Sequence, residues 1–324
     1  MNWQPALDPV PAPAPGRGRP FLWLGVKLLA LVVLLTLMLC LRLSGQLRGY
    51  LYGVFREMAR AQVMLSTRHW LTLSSPHFIV RYQPEDAGSA RLVLKTAERF
   101  YEPVFRDFPV APSGKIPLII HPSRESLNAA FGWPASESAM GVYWAGVIRI
   151  LSPADWVEAK DPAQVEEIFV SAGPVAHELT HLVVDYQARG NVPRWFTEGL
   201  AQYEEYKLTG FRFSAVPEDL SDRPPYSFTA MDRDFDRLPD QNLAYRQSFS
   251  AVEYLVAVYG EKSLHTILTK LGQGWDMERA LQAVTGLDLE GFTTAWRQWA
   301  GQNQTPQNPR VAGKSNFEAG IAVR

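Results

Sequence analysis

His177-Glu178-Leu179-Thr180-His181 lies inside the apolar-periodic stretch 175–186, and this segment decides how the rest of the chain is interpreted. Residues four apart on a helix share one face about one turn apart, so both imidazoles can reach a single metal ion while Glu178 projects beside them. The spacing therefore predicts a metal-binding helix of the kind that zinc hydrolases use.

A catalytic zinc takes three protein ligands and keeps one position for water, so two histidines need a third donor from elsewhere in the chain. Asp185 would lie about 12 Å along the helix axis from His177, too far away to close a tetrahedron with both imidazoles. Glu198 is the candidate. Gly190 predicts the end of the first helix and Asn191 the cap of the next, so a returning helix would place Glu198 opposite the histidines.

This arrangement resembles the gluzincins, the metallopeptidase clan of thermolysin and aminopeptidase N, and most closely the small peptidase MA-like domains. The resemblance covers roughly residues 75–300. It rests on the His177–His181 segment, on Pro193-Arg194-Trp195-Phe196-Thr197-Glu198-Gly199-Leu200-Ala201-Gln202-Tyr203, and on Tyr245 with Val252-Glu253-Tyr254-Leu255 and Tyr259-Gly260. It implies a zinc ion held by His177, His181 and Glu198 and an enzyme that hydrolyses peptide bonds. Glu178 would be the general base of that reaction.

The aminopeptidase N relatives also carry a tyrosine, in a Tyr-x-Lys-Gly pattern, that steadies the tetrahedral oxyanion. Tyr245-Arg246-Gln247-Ser248 looks similar, but the Lys and Gly are replaced. The resemblance makes Tyr245 the candidate oxyanion donor.

Two functional alternatives follow from the same residues. The sequence lacks a Gly-x-Met-Glu-Asn amine-binding motif like that of aminopeptidase N, which favours an endopeptidase over an aminopeptidase. The alternative from another class is a catalytically inactive, membrane-tethered domain that keeps zinc for stability.

In the gluzincin relatives, the strand before the active-site helix borders the cleft and pairs with an extended peptide substrate. The resemblance therefore places Val147 to Leu151 along the substrate, with Val147 and Arg149 as substrate contacts. An open strand edge would bind a peptide main chain by β-augmentation, whereas an ordinary hairpin edge is the alternative.

The order of predicted elements is typical of an α+β fold with a mixed-sheet lobe before the metal helix and an α-helical lobe after it. The strands are predicted at His77–Tyr82, Ile116–His121 and in a hairpin over 141–150, and the first helix at Gly88–Phe108. Glycine-separated helices are predicted at Tyr245–Tyr259, Ser263–Leu271, Met277–Val284 and Leu289–Trp299.

The N-terminus has its own pattern. Residues 1–20 hold six prolines and predict a disordered leader, and residues 21–43 are apolar except for Lys27, Thr36 and Arg42. A run of this length predicts a helix crossing a bilayer of about 30 Å, with a cleavable signal peptide as the alternative. The pattern of a signal anchor predicts a single-pass cell-membrane protein with an extracytoplasmic catalytic domain.

Residues 44–74 are predicted to form a juxtamembrane linker with an amphipathic helix over Gly49–Thr67, either on the membrane surface or as a packed connector. The metallopeptidase domain is predicted at 75–300 and a disordered tail at 301–324. A net charge of −1 excludes a nucleic-acid partner, and the one cysteine, Cys40, excludes an intramolecular disulfide.

Overall fold

Five strands form one mixed sheet in the computed structural model, over the residues that it describes: 19–42, 45–108, 110, 112–137, 139–212 and 224–302. The strands are β1 (Leu71–Ser74), β2 (Phe78–Tyr82), β3 (Ile116–His121), β4 (Gly141–Trp144) and β5 (Val147–Leu151). Their order across the sheet is β1-β2-β3-β5-β4. Strands β2, β3 and β5 run parallel, whereas β1 and β4 run antiparallel to their neighbours.

α-Helices, together with short 3-10 turns at Pro84–Asp86 and Phe235–Arg237, make up the rest of the regular structure in the described ranges. The α-helices are numbered in chain order. They are α1 (Arg19–Arg42), α2 (Gly45–Ser66), α3 (Ala87–Asp107), α4 (Arg124–Phe131), α5 (Pro153–Trp156), α6 (Pro162–Ala172), α7 (Val175–Ala188), α8 (Arg194–Thr209), α9 (Phe228–Arg233), α10 (Gln241–Tyr259), α11 (Lys262–Gly272), α12 (Met277–Thr285) and α13 (Leu289–Gln302). The α+β class and the helical C-terminal part predicted from the sequence are confirmed.

The hairpin predicted over 141–150 is present, and it turns at Ala145 and Gly146. Ala145 and Gly146 both have positive φ angles, 45° and 83°, which a two-residue turn needs to match the twist of its strands. The turn brings β4 back along β5 and makes β4 the edge of the sheet nearest to α7, against which it packs. This contact positions the edge strand beside α7, the helix that carries His177 and His181.

The chain divides into two compact units, Met1–Ser44 and Gly45–Arg324. Helix α1 contains most of the segment 21–43 that was predicted to cross a bilayer, and Leu43 lies outside the described residues. Within the described ranges, no helix is both long enough and apolar enough to span a membrane. The leader predicted at 1–20 and the tail predicted at 301–324 lie outside the described residues, except where α1 and α13 reach into them.

Helix α2 belongs to the second unit and packs on it along one face. Val63 of α2 forms a buried apolar cluster with Ile119 and Val147 on the sheet. Arg56 is buried and donates to Asp185 Oδ2 of α7 at 3.0 Å. One face of α2 therefore packs against both the sheet and α7.

Candidate metal centre

A tight turn between α7 and α8 brings the predicted ligands together. Arg189 and Gly190 adopt left-handed conformations, with φ angles of 55° and 74°, and the chain reverses there. Asn191 does not cap α8 as predicted, because its amide donates to the carbonyls of Leu271 at 2.7 Å and Trp275 at 2.8 Å. It fixes the turn to the C-terminal helices instead.

The close packing of α8 on α10 depends on one glycine. A Cβ on Gly199 would lie 2.4 Å from the carbonyl oxygen of Ser248, which is far inside van der Waals contact. The absent side chain lets the helix that carries Glu198 lie directly against α10, and the adjacent Glu198 is fully buried.

His177, His181 and Glu198 form the one group of possible metal donors found in the described part of the chain. Glu198 Oε2 lies 3.4 Å from His177 Nε2 and 3.6 Å from His181 Nε2. Donor atoms around a tetrahedral zinc with bonds of 2.0–2.1 Å are about 3.4 Å from one another. The spacing of the three donors therefore fits a zinc ion.

The chemistry of these donors fits a metal as well. Both Nε2 atoms and the Glu198 Oε2 atom that faces them are buried without a hydrogen bond of adequate geometry. Buried polar atoms left unsatisfied are costly, and a divalent cation would satisfy them together. The three side chains are at most 2% exposed.

The Nδ1 atoms of the two histidines have hydrogen-bond partners that determine the tautomer of each imidazole. His177 Nδ1 lies 3.1 Å from Glu205 Oε2, and His181 Nδ1 lies 2.8 Å from the Thr197 hydroxyl. A carboxylate only accepts, so His177 carries its proton on Nδ1 and can present the Nε2 lone pair to an ion. Thr197 can accept from His181 in the same way.

Two further acids, one on each ligand helix, are buried near the site. Glu205 is 3% exposed and holds His177, as described above. Asp185 accepts from Arg56 and from the Tyr143 hydroxyl, the latter at 2.5 Å. Glu205 therefore supports a predicted ligand, whereas Asp185 connects α7 to α2 and β4.

The donor cluster is electrostatically coupled. Burial lowers the pKa of His181 to about 4, although the negative charge of Glu198 opposes the shift. Burial also acts to lower the pKa of His177, but its contacts with Glu198 and Glu205 outweigh it and raise that pKa to about 10. Without metal, the His177 imidazole therefore carries a second proton on Nε2 at neutral pH, and an ion binding at Nε2 would have to displace that proton.

Arg194 compensates the charge of the carboxylate ligand. Burial alone would raise the pKa of Glu198, but Arg194 and the two imidazoles hold that pKa well below its ordinary value. Arg194 Nε lies 3.1 Å from Glu198 Oε1, and its Nη2 lies 3.4 Å from Asp236. Oε1 therefore faces the guanidinium, and Oε2 faces the two imidazoles.

Glu178 lies beside the donors in a fully buried position at the edge strand. Burial is the main reason that its pKa rises to about 8. A Cβ on Gly141 would lie only 2.8 Å from Glu178 Oε1 and 2.7 Å from the Pro174 Cβ. The glycine at the start of β4 thus provides the space in which the carboxyl group sits.

Tyr245 lies on α10 and is 8% exposed. Burial raises its pKa, and the nearby negative charge of Glu198 raises it further, while Arg194 acts in the opposite direction. The phenol therefore keeps its proton at neutral pH and can serve as a hydrogen-bond donor.

The predicted placement of Val147–Leu151 at an open edge is wrong. Strand β5 is hydrogen-bonded to β3 on one side and to β4 on the other, so its main chain has no free edge for a peptide. Val147 is buried in the cluster under α2, and Arg149 Nη1 lies 3.1 Å from His121 Nε2. The strand of the hairpin that has a free edge in the described sheet is β4.

Sequence reasoning missed three residues that shape this site. They are Thr197, Arg194 and Gly141. Thr197 contacts a histidine of the other helix, which the helical period alone does not predict, and Gly141 lies 36 residues before His177. The spacing of Arg194 and Glu198, four residues apart on one helix, was the signal available for an ion pair.

Residues 162–302 match the family model described as the peptidase MA superfamily. The match covers less than half of the chain and includes α6 to α13, and thus all three candidate ligands. It confirms the resemblance inferred from the His177–His181 and Glu198 segments. A comparison with curated proteins gave no match.

Proposed function

We propose that this chain, which matches the peptidase MA superfamily over residues 162–302, is a zinc-dependent metallopeptidase with a gluzincin-like active site. The observation that carries the proposal is the spacing of His177, His181 and Glu198. Their three donor atoms are buried and unsatisfied and lie within 4.8 Å of one another. The two distances from Glu198 Oε2 to the imidazoles, 3.4 and 3.6 Å, match the donor separation around a tetrahedral zinc.

Each residue has a distinct role in this proposal. When bound, zinc supplies a Lewis acid that polarises the scissile carbonyl and brings the pKa of a bound water to near 7. Glu178 accepts the proton of the attacking water and passes it to the leaving amine. Tyr245 donates its phenolic hydrogen to the oxyanion that develops on the carbonyl oxygen.

We assign the peptide-binding edge to β4 rather than to β5. Gly141 at the start of β4 touches Glu178, so a peptide paired with this strand would pass beside the general base. Main-chain hydrogen bonds along an edge strand bind extended peptides without demanding a particular sequence. Endopeptidase activity suits this mode, because pairing along a strand does not require a free amino terminus.

The test is the substitution Glu178→Gln in the zinc-loaded chain, assayed against a peptide library. The expected result is one zinc per chain and loss of cleavage, because glutamine preserves the shape of the side chain but cannot accept the proton. Wild-type protein treated with a chelator should also lose cleavage and regain it with zinc. Unchanged hydrolysis by the zinc-loaded variant would refute the role of Glu178.

One observation favours the alternative, a catalytically inactive domain that holds zinc for stability. The three ligand side chains are at most 2% exposed, and a catalytic zinc needs a position open to water and substrate. The same library separates the two functions. An inactive scaffold would lose thermal stability on chelation while the intact protein cleaves no peptide.

Attachment to a lipid bilayer through residues 21–43, with the catalytic domain outside the cytoplasm, is a further proposal. Its support is the apolar sequence of the segment. Cell fractionation with protease protection tests it. Recovery of the full chain in the soluble fraction would overturn the anchor, and protection of the 75–300 domain from external protease would overturn the orientation.

A further inference from the structure

Helix α2 has two apolar faces, and only one of them is covered by the rest of the protein. The inner face carries the buried residues Arg56, Ala59 and Val63, which pack on the sheet and on α7. On the opposite side, large apolar side chains are exposed, among them Met58 at 68% and Leu65 at 61%. At 100° per residue, these two residues lie about half a turn from Arg56.

The exposed residues follow a heptad spacing. We call the set Leu47, Leu51, Val54, Met58, Ala61 and Leu65 the outer stripe of α2; all six are exposed. Successive members are four, three, four, three and four residues apart. This a/d alternation with a period of 3.5 is the pattern of a seam between two helices rather than that of a helix covering a globular core.

The outer stripe and its borders are large enough for a stable contact. Tyr50, exposed by 67%, and Phe55, exposed by 48%, flank the stripe. Together with the stripe they expose on the order of 800 Å², which is about the area that each partner buries in a standard-size interface. The helix is already ordered by its inner face, so pairing would not have to supply the free energy of helix formation.

We propose that the outer stripe pairs with the same stripe of a second copy of this chain, as a parallel two-stranded coiled coil. In this arrangement, the flanking positions place Tyr50 of one copy opposite Phe55 of the other, and Glu57 opposite Gln62. An antiparallel pair in full overlap would place Glu57 opposite Glu57, two like charges. The parallel arrangement avoids that repulsion, and the inner faces leave the two peptidase domains on opposite sides of the seam.

A lipid surface is the other occupant that an exposed apolar helix face can have. Helices of that kind carry many Lys and Arg residues on a wholly polar opposite face. The side of α2 opposite the outer stripe is instead packed against protein through Val63 and Arg56. Arg48 and Arg68 border the stripe together with Glu57, so the charge there is mixed. These features favour a second copy.

Cysteine cross-linking of the full chain in detergent micelles tests the proposal. In a Cys40→Ser background, the variants Met58→Cys and Leu51→Cys place one thiol at a seam position that faces its own copy in a parallel pair. The matched control is Ser66→Cys, an exposed position on the same helix outside the stripe. Mild oxidation should convert both stripe variants to disulfide-linked dimers and leave the control monomeric.

Other outcomes overturn the proposal. Equal cross-linking at position 66 would mean random collision, and cross-linking only in a mixture of Val54→Cys and Met58→Cys would mean an antiparallel pair. A second test measures the mass of the assembly by sedimentation. The double variant Leu51→Glu, Met58→Glu should have half the mass of the wild-type assembly, whereas Ser66→Glu should leave that mass unchanged. A monomeric wild type whose binding to anionic lipid vesicles is lost in the double variant would assign the stripe to a membrane.

Discussion

Glu178→Gln is predicted to stabilise the metal-free protein while it removes activity. Glu178 is fully buried and its pKa is raised to about 8 by burial, against 4.5 for an ordinary glutamate. Below pH 4.5, the carboxyl group is protonated in both the folded and the unfolded chain, so its burial does not change the free energy of unfolding with pH. Above that pH, the unfolded chain loses the proton and the folded chain keeps it, so the free energy of unfolding falls as the pH rises.

The size of the effect follows from the difference in pKa. Each unit is worth about 1.4 kcal/mol, so the buried carboxyl lowers the free energy of unfolding by about 3 kcal/mol at pH 7 and by about 5 kcal/mol above pH 8. Glutamine does not titrate and escapes this cost. The metal-free variant should therefore exceed the wild type in stability by these amounts, and the difference should vanish below pH 4.5.

Denaturant unfolding with a chelator present, followed by tryptophan fluorescence between pH 4 and pH 9, measures the difference. Glu102→Gln, at an exposed position on α3, is the matched control and should change the free energy of unfolding by less than about 0.5 kcal/mol. If Glu178→Gln has the same stability as the wild type at pH 7, or a lower one, the carboxyl group is not held in a desolvated pocket. The reasoning about the buried, protonated state of Glu178 in the metal-free protein would then fail.

Three other substitutions test separate parts of the structure. Gly141→Ala should displace the Glu178 carboxylate, lowering stability by about 1–3 kcal/mol in denaturant unfolding and turnover by about 100-fold in a peptide assay, with zinc content unchanged. Glu205→Ala removes the acceptor that orients His177 and should weaken zinc binding about 10–100-fold in a competition titration with a chelating dye; unchanged affinity would exclude that role. Arg56→Met removes the cation paired with the buried Asp185 carboxylate and leaves it the neutral Tyr143 hydroxyl. It should cost about 3–5 kcal/mol of stability in the same unfolding assay, whereas a loss under about 1 kcal/mol would mean that the ion pair is solvated.

The metal helix and the returning helix could be predicted from the sequence because their signals are local. The spacing of His177 and His181 on a 3.6-residue period fixes their common face, and Gly190 marks the reversal that brings Glu198 back. These inferences need no knowledge of the sheet. The structure places the three side chains within metal-binding distance of one another.

The order of strands in the sheet could not be predicted from local sequence signals. A hairpin pattern predicts that β4 and β5 pair, but it does not say which of the two has its other edge covered by β3. That choice depends on long-range packing, and it moved the candidate substrate strand from Val147–Leu151 to β4. Gly141 gained its meaning only when β4 was found against Glu178.

The sequence also could not predict which face of α2 packs against the protein. Its apolar spacing was visible in the sequence, but a helix that is apolar on two faces leaves open which face meets the protein. The burial of Arg56 against Asp185 decides the question, because a charged residue is buried only where it has a partner. The outer stripe then remained as the exposed face of the helix.

X-ray absorption at the zinc edge of the zinc-loaded chain, compared between wild type and Glu198→Ala, tests the coordination most directly. We predict one zinc per wild-type chain, held by two imidazoles and one carboxylate oxygen at about 2.0–2.1 Å, with loss or rearrangement of that shell in the variant. A variant that binds zinc with the same affinity and an unchanged spectrum would contradict the assignment of Glu198 as the third ligand.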